Sequence, residues 1–193
     1  MDVNFKEAFE KTKIAGSIAA RALDEVSKII KPGISTDQID KICYEYINDN
    51  KAYSAPLFYR GFPKSCCTSA NHIVCHGIPS DKILKNGDIV NVDVTAFKDG
   101  WHGDTSRMFE VGEISIKAQK LITTTYESMM KAIKIVKDGT FLGDIGSTIQ
   151  THVEKQGFSV AQDFCWHGIG QTFHKERNIL HYGKKGTGKK ISA

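Results

Sequence analysis

The chain has 193 residues, of which 40% are hydrophobic, and a formal net charge of +4 at pH 7. This length and composition suit a folded domain with a sizeable core and exclude a wholly disordered chain. Four lysines near the C-terminus equal the whole net charge: Lys184, Lys185, Lys189 and Lys190. No aromatic side chain is interleaved with them, so we expect a solvated, frayed C-terminus rather than a nucleic-acid-binding patch.

The cysteines and the apolar runs predict a cytoplasmic protein. Five cysteines, an odd number without CxxC spacing, favour reduced thiols over a disulfide framework. The first residues contain no continuous apolar stretch of the kind that export signals need, and no run approaches about 18 apolar residues. We therefore expect neither an export signal nor a membrane-spanning helix.

In chain order, the pattern begins with two helices. Apolar residues at helical spacing predict an amphipathic helix over residues 5–31, ended by a Pro-Gly pair. A second helix is predicted to begin near Ser35 or Thr36, either of which can cap its first turn, and to end at about Asn50. Short strand-like stretches follow at residues 66–70, 73–76, 89–97 and 101–111. Two further helices are predicted over residues 116–137 and 142–156.

The second pair of helices resembles the first. Residues 28–33 (KIIKPG) match residues 134–139 (KIVKDG) at an offset of 106 positions, and strand-like sequence follows both pairs. The match predicts an α+β domain over 1–193, made of half-repeats 1–111 and 112–193 with their strands in one sheet and the helices outside it. At this offset the counterpart of residues 88–109 would fall at 194–215, so the second half is predicted to be incomplete.

The stretch NVDVTAFKDGWHGDTSRMF predicts a β-hairpin. Its Asp-Gly pair at 99–100 favours a type I′ turn, because both central residues of that turn need positive φ. Residue numbers of cross-strand partners then sum to 199, which pairs Asp93 with Ser106 and Asp104 with Thr95. Asp93 and Asp104 are therefore predicted to share one face of the hairpin as diagonal neighbours.

The opposite face of the first strand is apolar, which suits packing beneath the helices. A polar strand face is often simply solvent-facing, and this alternative stays open for the hairpin taken alone. Two carboxylates held side by side repel each other, however, and need a cation, a proton or an arginine. Arg107 falls on the other face by parity, so we favour two divalent metals that share a bridging carboxylate.

Three of the seven histidines have surroundings that suggest a site. His76 lies in VCHGIP, where Gly77 follows it, and His167 and His174 lie in CWHGIGQTFH, whose glycines let the backbone turn closely. His102, next to the hairpin turn, is expected to face solvent. Ordinary hydrogen-bonded roles are expected for the remaining three, His72, His152 and His181.

The motifs VCHGIP, NVDVTAFKDGWHGDTSRMF and HGIGQTFH, in this order, resemble those of methionine aminopeptidases of the bacterial type I class. The likeness extends over essentially the whole chain. It implies a pita-bread fold, in which two related halves surround a dinuclear metal site. It also implies removal of the initiator methionine from nascent polypeptides, with two divalent ions chosen from Co, Mn, Fe, Zn and Ni.

Roles for individual residues also follow from the resemblance. Asp93 would chelate one metal, Asp104 would bridge both, and His167 would bind the other. His76 would contact the amino end of the substrate or assist proton transfer, and His174 would hold the scissile carbonyl and stabilise the oxyanion. The pocket for the methionine side chain would be lined by Tyr59, Phe62 and Cys67.

Departures from the family pattern temper these expectations. The family supplies two further glutamate ligands from C-terminal strands that have no counterpart before residue 193, and Trp166 and Arg177 stand where it usually has Gly and Pro. The resemblance therefore implies a C-terminally truncated aminopeptidase that holds two metals, one or none, and little or no turnover by the isolated 193-residue chain.

Two alternatives stay open at this point. The first is a non-catalytic remnant or binding module that keeps affinity for N-terminal methionine or for the ribosome. The second is a relative that cleaves X-Pro bonds or acts on creatine, although GFPKSCC and VCHGIP favour the methionine enzyme. In each case we expect a cytoplasmic monomer without a membrane or a specific nucleic acid as partner.

Overall fold

The structure, a computed structural model, describes residues 4–192 and divides into two units. One unit contains the chain up to Ser115 together with Ile169–Phe173, and the other contains Ile116–Gly168 and the chain from His174 onward. Within the described range, no helix is both long enough and apolar enough to cross a membrane.

Helices and strands alternate in blocks along the chain, as the sequence predicts. The first unit contains α1 (Phe5–Ile29), α2 (Thr36–Asp49), β1 (Tyr53–Ser54), β2 (Cys67–Ala70), β3 (Ile89–Lys98), β4 (Trp101–Glu110) and a 3₁₀ turn (Tyr59–Gly61). The second unit contains α3 (Ile116–Ile135), α4 (Leu142–Lys155), β5 (Cys165–Gly168) and β6 (Lys175–Leu180).

The first two helices begin and end for local reasons. Helix α1 stops at Ile29, two residues earlier than predicted, because the residue before Pro32 is disfavoured in a helical conformation. Helix α2 begins with a capping box, in which the backbone N–H of Gln38 donates to Ser35 Oγ and that of Ser35 donates to Gln38 Oε1. Ser35 is thus the cap, as one of the two predicted options.

The hairpin has the predicted turn and register. Asp99 and Gly100 have φ values of 49° and 85°, as a type I′ turn requires, and Asp93 pairs with Ser106. The apolar face of β3 packs against α1 in the core, and its inward side chains are all 0% exposed: Val90, Val92, Val94 and Ala96. Each buried valine stabilises the fold by about 1.5–3 kcal/mol.

Two predictions about strands are wrong. Residues 73–76 form no strand, because left-handed backbone at Asn71 and His76, with φ of 55° and 54°, brackets the stretch and interrupts a ladder. The strands also form two hydrogen-bonded sheets instead of one. β3 lies between β4 on one side and β1 and β2 on the other, while β5 and β6 form a two-stranded sheet.

The internal repeat is confirmed in the backbone hydrogen bonds of the two units. A returning segment bonds to the first turn of α2 in one unit and of α4 in the other. In each corresponding pair of bonds, the donors lie 106 positions apart in sequence and the acceptors 107. One pair is Thr36 N to Lys82 O and Leu142 N to Lys189 O. The other pair is Asp37 N to Ser80 O and Gly143 N to Thr187 O. The two units therefore contain the same helix-turn-helix arrangement with the same return.

The frayed C-terminus predicted from the lysine-rich composition is wrong for the described residues. Ile191 N donates to Thr140 O, and Gly186 N donates to Asp144 Oδ1 at 2.8 Å. Residues 187–191 occupy the same place in the second unit as residues 80–84 do in the first. The lysine side chains are exposed, but their backbone is part of the fold.

Candidate active site

The two hairpin carboxylates lie next to each other on the outward face of β3 and β4. Burial raises the pKa of Asp93 to about 7, and the charge of Asp104 and a hydrogen bond between the two carboxyl groups add to the rise. Asp93 is partly buried and Asp104 is exposed. The predicted convergence of these two side chains is therefore present in the first unit.

This donor set fits a divalent cation. Carboxylate oxygens are ligands for hard and borderline divalent metals, and a cation would offset both the burial that chiefly raises the pKa of Asp93 and the repulsion by Asp104 that adds to the rise. In the part of the chain that the structure describes, no group of three or more His, Cys, Asp or Glu side chains is arranged to hold a metal ion. The first unit supplies the two aspartates, and the predicted histidine ligand belongs to the second.

His167 and His174 lie side by side in the second unit. Their ring centroids are 4.4 Å apart, and the two residues flank the turn that joins β5 to β6. The Nδ1 of His167 is 2.9 Å from the carbonyl oxygen of Gly168. Because a carbonyl only accepts, Nδ1 carries the proton, and a neutral ring then has its lone pair on Nε2, as a metal ligand requires.

His76 is held in an uncommon backbone conformation. Its φ of 54° is left-handed, which is costly for a residue with a side chain and is found most often at functional positions. The next residue fixes the turn, because Gly77 N donates to Ser69 Oγ and Gly77 O accepts from Thr68 N. A Cβ on Gly77 would overlap the backbone of Thr68, so only glycine fits there.

The predicted pocket residues belong to two neighbouring stretches of the first unit. Tyr59 and Phe62 lie in a closed turn in which Phe58 N donates to Phe62 O at 2.7 Å. Cys67 pairs with Asp93 across β2 and β3, and burial raises its pKa to about 12, with the charges of Asp93 and Asp104 adding to the effect. Cys67 is therefore a neutral thiol at physiological pH.

Asp40 fixes the chain just before Cys67. Its Oδ1 accepts hydrogen bonds from Ser65 N at 2.8 Å, Ser65 Oγ at 2.6 Å and Cys66 N at 3.0 Å. No local sequence pattern predicts this role of Asp40, because α2 and residues 65–66 meet only in the tertiary structure.

We expect Asp40→Ala to lower the free energy of unfolding by about 2–3 kcal/mol, because the hydrogen-bond donors of Ser65 and Cys66, just before β2, then lose their carboxylate acceptor. Asp37→Ala is the matched control. Asp37 contacts the same loop through an exposed ion pair with Lys64 at 2.7 Å, and we expect that change to cost less than about 1 kcal/mol. Urea unfolding of both variants measures the difference, and equal losses would contradict the assigned role.

The prediction that His102 faces solvent is wrong, and the role of Phe173 was not predicted. His102 does not simply face solvent: its Nδ1 is 2.9 Å from Gly170 O, and its ring stacks on Phe173 at 5.4 Å. Phe173 also contacts the ring of Tyr59 at 5.0 Å. Parity could have found His102, since it is two residues from Asp104 on one strand and must share its face. Phe173 could have been found because it directly precedes the predicted site residue His174 in the sequence.

The helix pairs and antiparallel sheets of this chain belong to the pita-bread fold. A solved methionine aminopeptidase from Rickettsia prowazekii has the same fold, with a TM-score of 0.96, 50% sequence identity and coverage of 99% of this chain and 77% of that one.

Sequence comparison agrees with the fold. The family model of Metallopeptidase family M24 matches residues 10–192. A methionine aminopeptidase from Rickettsia prowazekii (strain Madrid E) is 51% identical over 186 residues, which are 96% of this chain and 72% of that protein. One from Escherichia coli (strain K12) is 49% identical over 189 residues, with 97% and 72% covered. The chain belongs to metallopeptidase family M24 and, within it, to the methionine aminopeptidases.

Proposed function

We propose that this protein removes the N-terminal initiator methionine from nascent polypeptides by metal-assisted peptide hydrolysis. The observation that carries the proposal is the carboxylate pair on the hairpin, where Asp93 and Asp104 lie side by side and the pKa of Asp93 is raised to about 7. The 51% identity to a methionine aminopeptidase supports the substrate class.

In this proposal Asp93, Asp104 and His167 would hold divalent metal, and Asp104 would be the bridging ligand. Bound divalent ions activate water toward the peptide carbonyl and stabilise the negative charge that develops there. Two ions chosen from Co, Mn, Fe, Zn and Ni are proposed for the active protein. The Nδ1–H of His167, directed to Gly168 O, supports its role because it presets the tautomer that binds metal through Nε2.

The remaining site residues would act on the peptide itself. We assign His76 to the amino end of the substrate or to proton transfer, and His174 to the scissile carbonyl, where a ring N–H donates to the developing oxyanion. Tyr59, Phe62 and the neutral thiol of Cys67 would enclose the methionine side chain, since aromatic and sulfur groups suit a thioether.

We further propose that residues 1–193 act as a single aminopeptidase domain built from half-repeats 1–111 and 112–193. A cytoplasmic monomer that meets its substrates at the ribosome would suit a protein acting on new N-termini. Neither a membrane nor a specific nucleic acid is part of this proposal.

The test is release of methionine from a Met-Ala-Ser peptide by purified protein supplied with Mn²⁺, Fe²⁺ or Co²⁺. Where the 193-residue chain releases methionine, we expect Asp104→Ala to reduce release at least about 100-fold, because a bridging ligand supports several kcal/mol of transition-state stabilisation. Glu110→Ala is the control, since Glu110 is an exposed acid on the same face of β4 at its far end.

The outcomes separate the candidate functions. Methionine release that survives Asp104→Ala would contradict the assigned site. Binding of the peptide without hydrolysis, at every metal tested, would favour the non-catalytic binding module. That alternative has one observation in its favour, the lack of a three-ligand cluster among residues 4–192.

A further inference from the structure

The ring of His102 is enclosed on the carboxylate face of the hairpin. Register pairs His102 with Phe97, and residues two apart on β4 place His102 on the same face as Asp104. The ring centroid is 4.6 Å from that of Phe97 and 5.4 Å from that of Phe173, to which it is nearly parallel at 8°. Two aromatic rings therefore fix the orientation of the imidazole.

A single carbonyl oxygen accepts two hydrogen bonds from His102. The backbone N–H of His102 donates to Gly170 O at 2.9 Å, and its Nδ1 lies 2.9 Å from the same oxygen. Because that oxygen can only accept, Nδ1 must carry a proton. His102 thus binds the carbonyl oxygen of Gly170 through both its main chain and its side chain.

The segment that contains Gly170, Ile169–Phe173, connects the two predicted site histidines, His167 and His174. Ile169–Phe173 groups with the first unit, while the chain on both sides of it groups with the second. His174 follows Phe173 directly, and Gly168 alone separates His167 from Ile169. Any freedom of this segment is therefore transmitted by covalent bonds to both histidines.

We propose that His102 is a positioning residue, which anchors Ile169–Phe173 to the carboxylate face of the hairpin and thereby limits the motion of His167 and His174. The catalytic consequence rests on the proposed function, because it matters only if these histidines act on a peptide. The anchoring itself does not depend on that function. His102 touches neither substrate nor metal in this account.

Two substitutions separate the parts of the anchor. His102→Phe keeps a ring of similar size against Phe97 and Phe173 but removes the Nδ1–H donor. His102→Asn places an amide N–H where Nδ1 was and loses the ring. His72→Phe makes the same chemical change at an exposed histidine elsewhere in the first unit and serves as the control.

Amide hydrogen exchange is the first readout. We expect His102→Phe to increase exchange across residues 169–174 by about tenfold, the ratio that one hydrogen bond supports, with α1 unchanged. In the wild type, ¹⁵N shifts should show the ring protonated at Nδ1. Unchanged exchange in His102→Phe, or an equal rise throughout the protein, would overturn the inference, as would a ring unprotonated at Nδ1.

Kinetics on the metal-loaded protein with Met-Ala-Ser are the second readout. For His102→Phe we expect kcat to fall about tenfold with KM changed less than about threefold, and for His102→Asn to recover most of the loss. Wild-type kcat in His102→Phe would overturn the catalytic consequence. If the wild type releases no methionine, the proposed function fails, and amide exchange and the ¹⁵N shifts still decide the inference about the anchor.

Discussion

Asp93→Asn is expected to stabilise the metal-free protein at neutral and alkaline pH while it abolishes metal-dependent activity. The folded pKa of Asp93 is about 7, above its ordinary value near 4, so between these values the folded state binds more protons than the unfolded state. Stability therefore falls as pH rises through this window. The full effect has an upper limit of about 4 kcal/mol and is complete above pH 7.

The measurement is urea unfolding in EDTA from pH 4.5 to 8, comparing wild type with Asp93→Asn. Asp88→Asn is a control of opposite sign. Burial works to raise the pKa of Asp88, but hydrogen bonds from Asn71 and from Lys85 N outweigh it and lower that pKa. Asp88→Asn should therefore destabilise the protein. A difference between wild type and Asp93→Asn that does not change with pH would contradict the prediction.

Divalent metal should reverse the order of stability of the wild type and Asp93→Asn. A divalent ion binds deprotonated carboxylates, so it stabilises the wild type increasingly as pH rises. Asp93→Asn loses a charged ligand and should gain little from the same ion. Thermal melts with Mn²⁺ and with EDTA at pH 8 give both comparisons, and an equal rise in Tm for the two proteins would count against Asp93 as a ligand.

Gly103→Ala is expected to cost about 3 kcal/mol or more in folding stability. Gly103 is buried on β4, and a Cβ there would overlap the backbone of Ala15 and Gly16 in α1. Backbone atoms cannot rotate aside, so the helix would have to move away from the strand.

Gly16→Ala is the matched control on the helix, and its effect on folding stability should have the opposite sign. A Cβ on Gly16 meets no heavy atom within 4 Å, and alanine is favoured over glycine inside a helix by about 1 kcal/mol. Urea unfolding measures both variants, and the yield of soluble protein reports on Gly103→Ala if it does not fold. A stabilising Gly103→Ala would show that the helix and strand do not meet here, and a strongly destabilising Gly16→Ala would show that the space beside Gly16 is not open.

The hairpin shows how far local sequence rules extend. An Asp-Gly pair fixes the turn, the turn fixes the register, and the register places Asp93 and Asp104 on one face. The repeat was also visible in sequence, because KIIKPG and KIVKDG specify the same helix end and turn. Hydrogen bonds that recur at offsets of 106 and 107 confirm it.

Local rules failed where distant segments meet. The apolar residues of 73–76 suggested a strand, but left-handed backbone at Asn71 and His76 interrupts the ladder. A histidine beside a turn is ordinarily exposed to solvent. His102 is covered because residues 169–173, which lie 67 or more positions further along the chain, pack on its ring. The lysine-rich C-terminus suggested fraying, but hydrogen bonds to the first turn of α4 order its backbone.

The sequence by itself determined the two helix pairs, the hairpin register, the candidate ligands and the family, because each depends on periodicity, turn chemistry or short motifs. Tertiary structure alone decided three further features: the raised pKa of Asp93, the hydrogen bonds from His102 to Gly170, and the close contact of Gly103 with α1. Each of these depends on burial or on contact between residues far apart in the chain, and such contacts have no local sequence pattern.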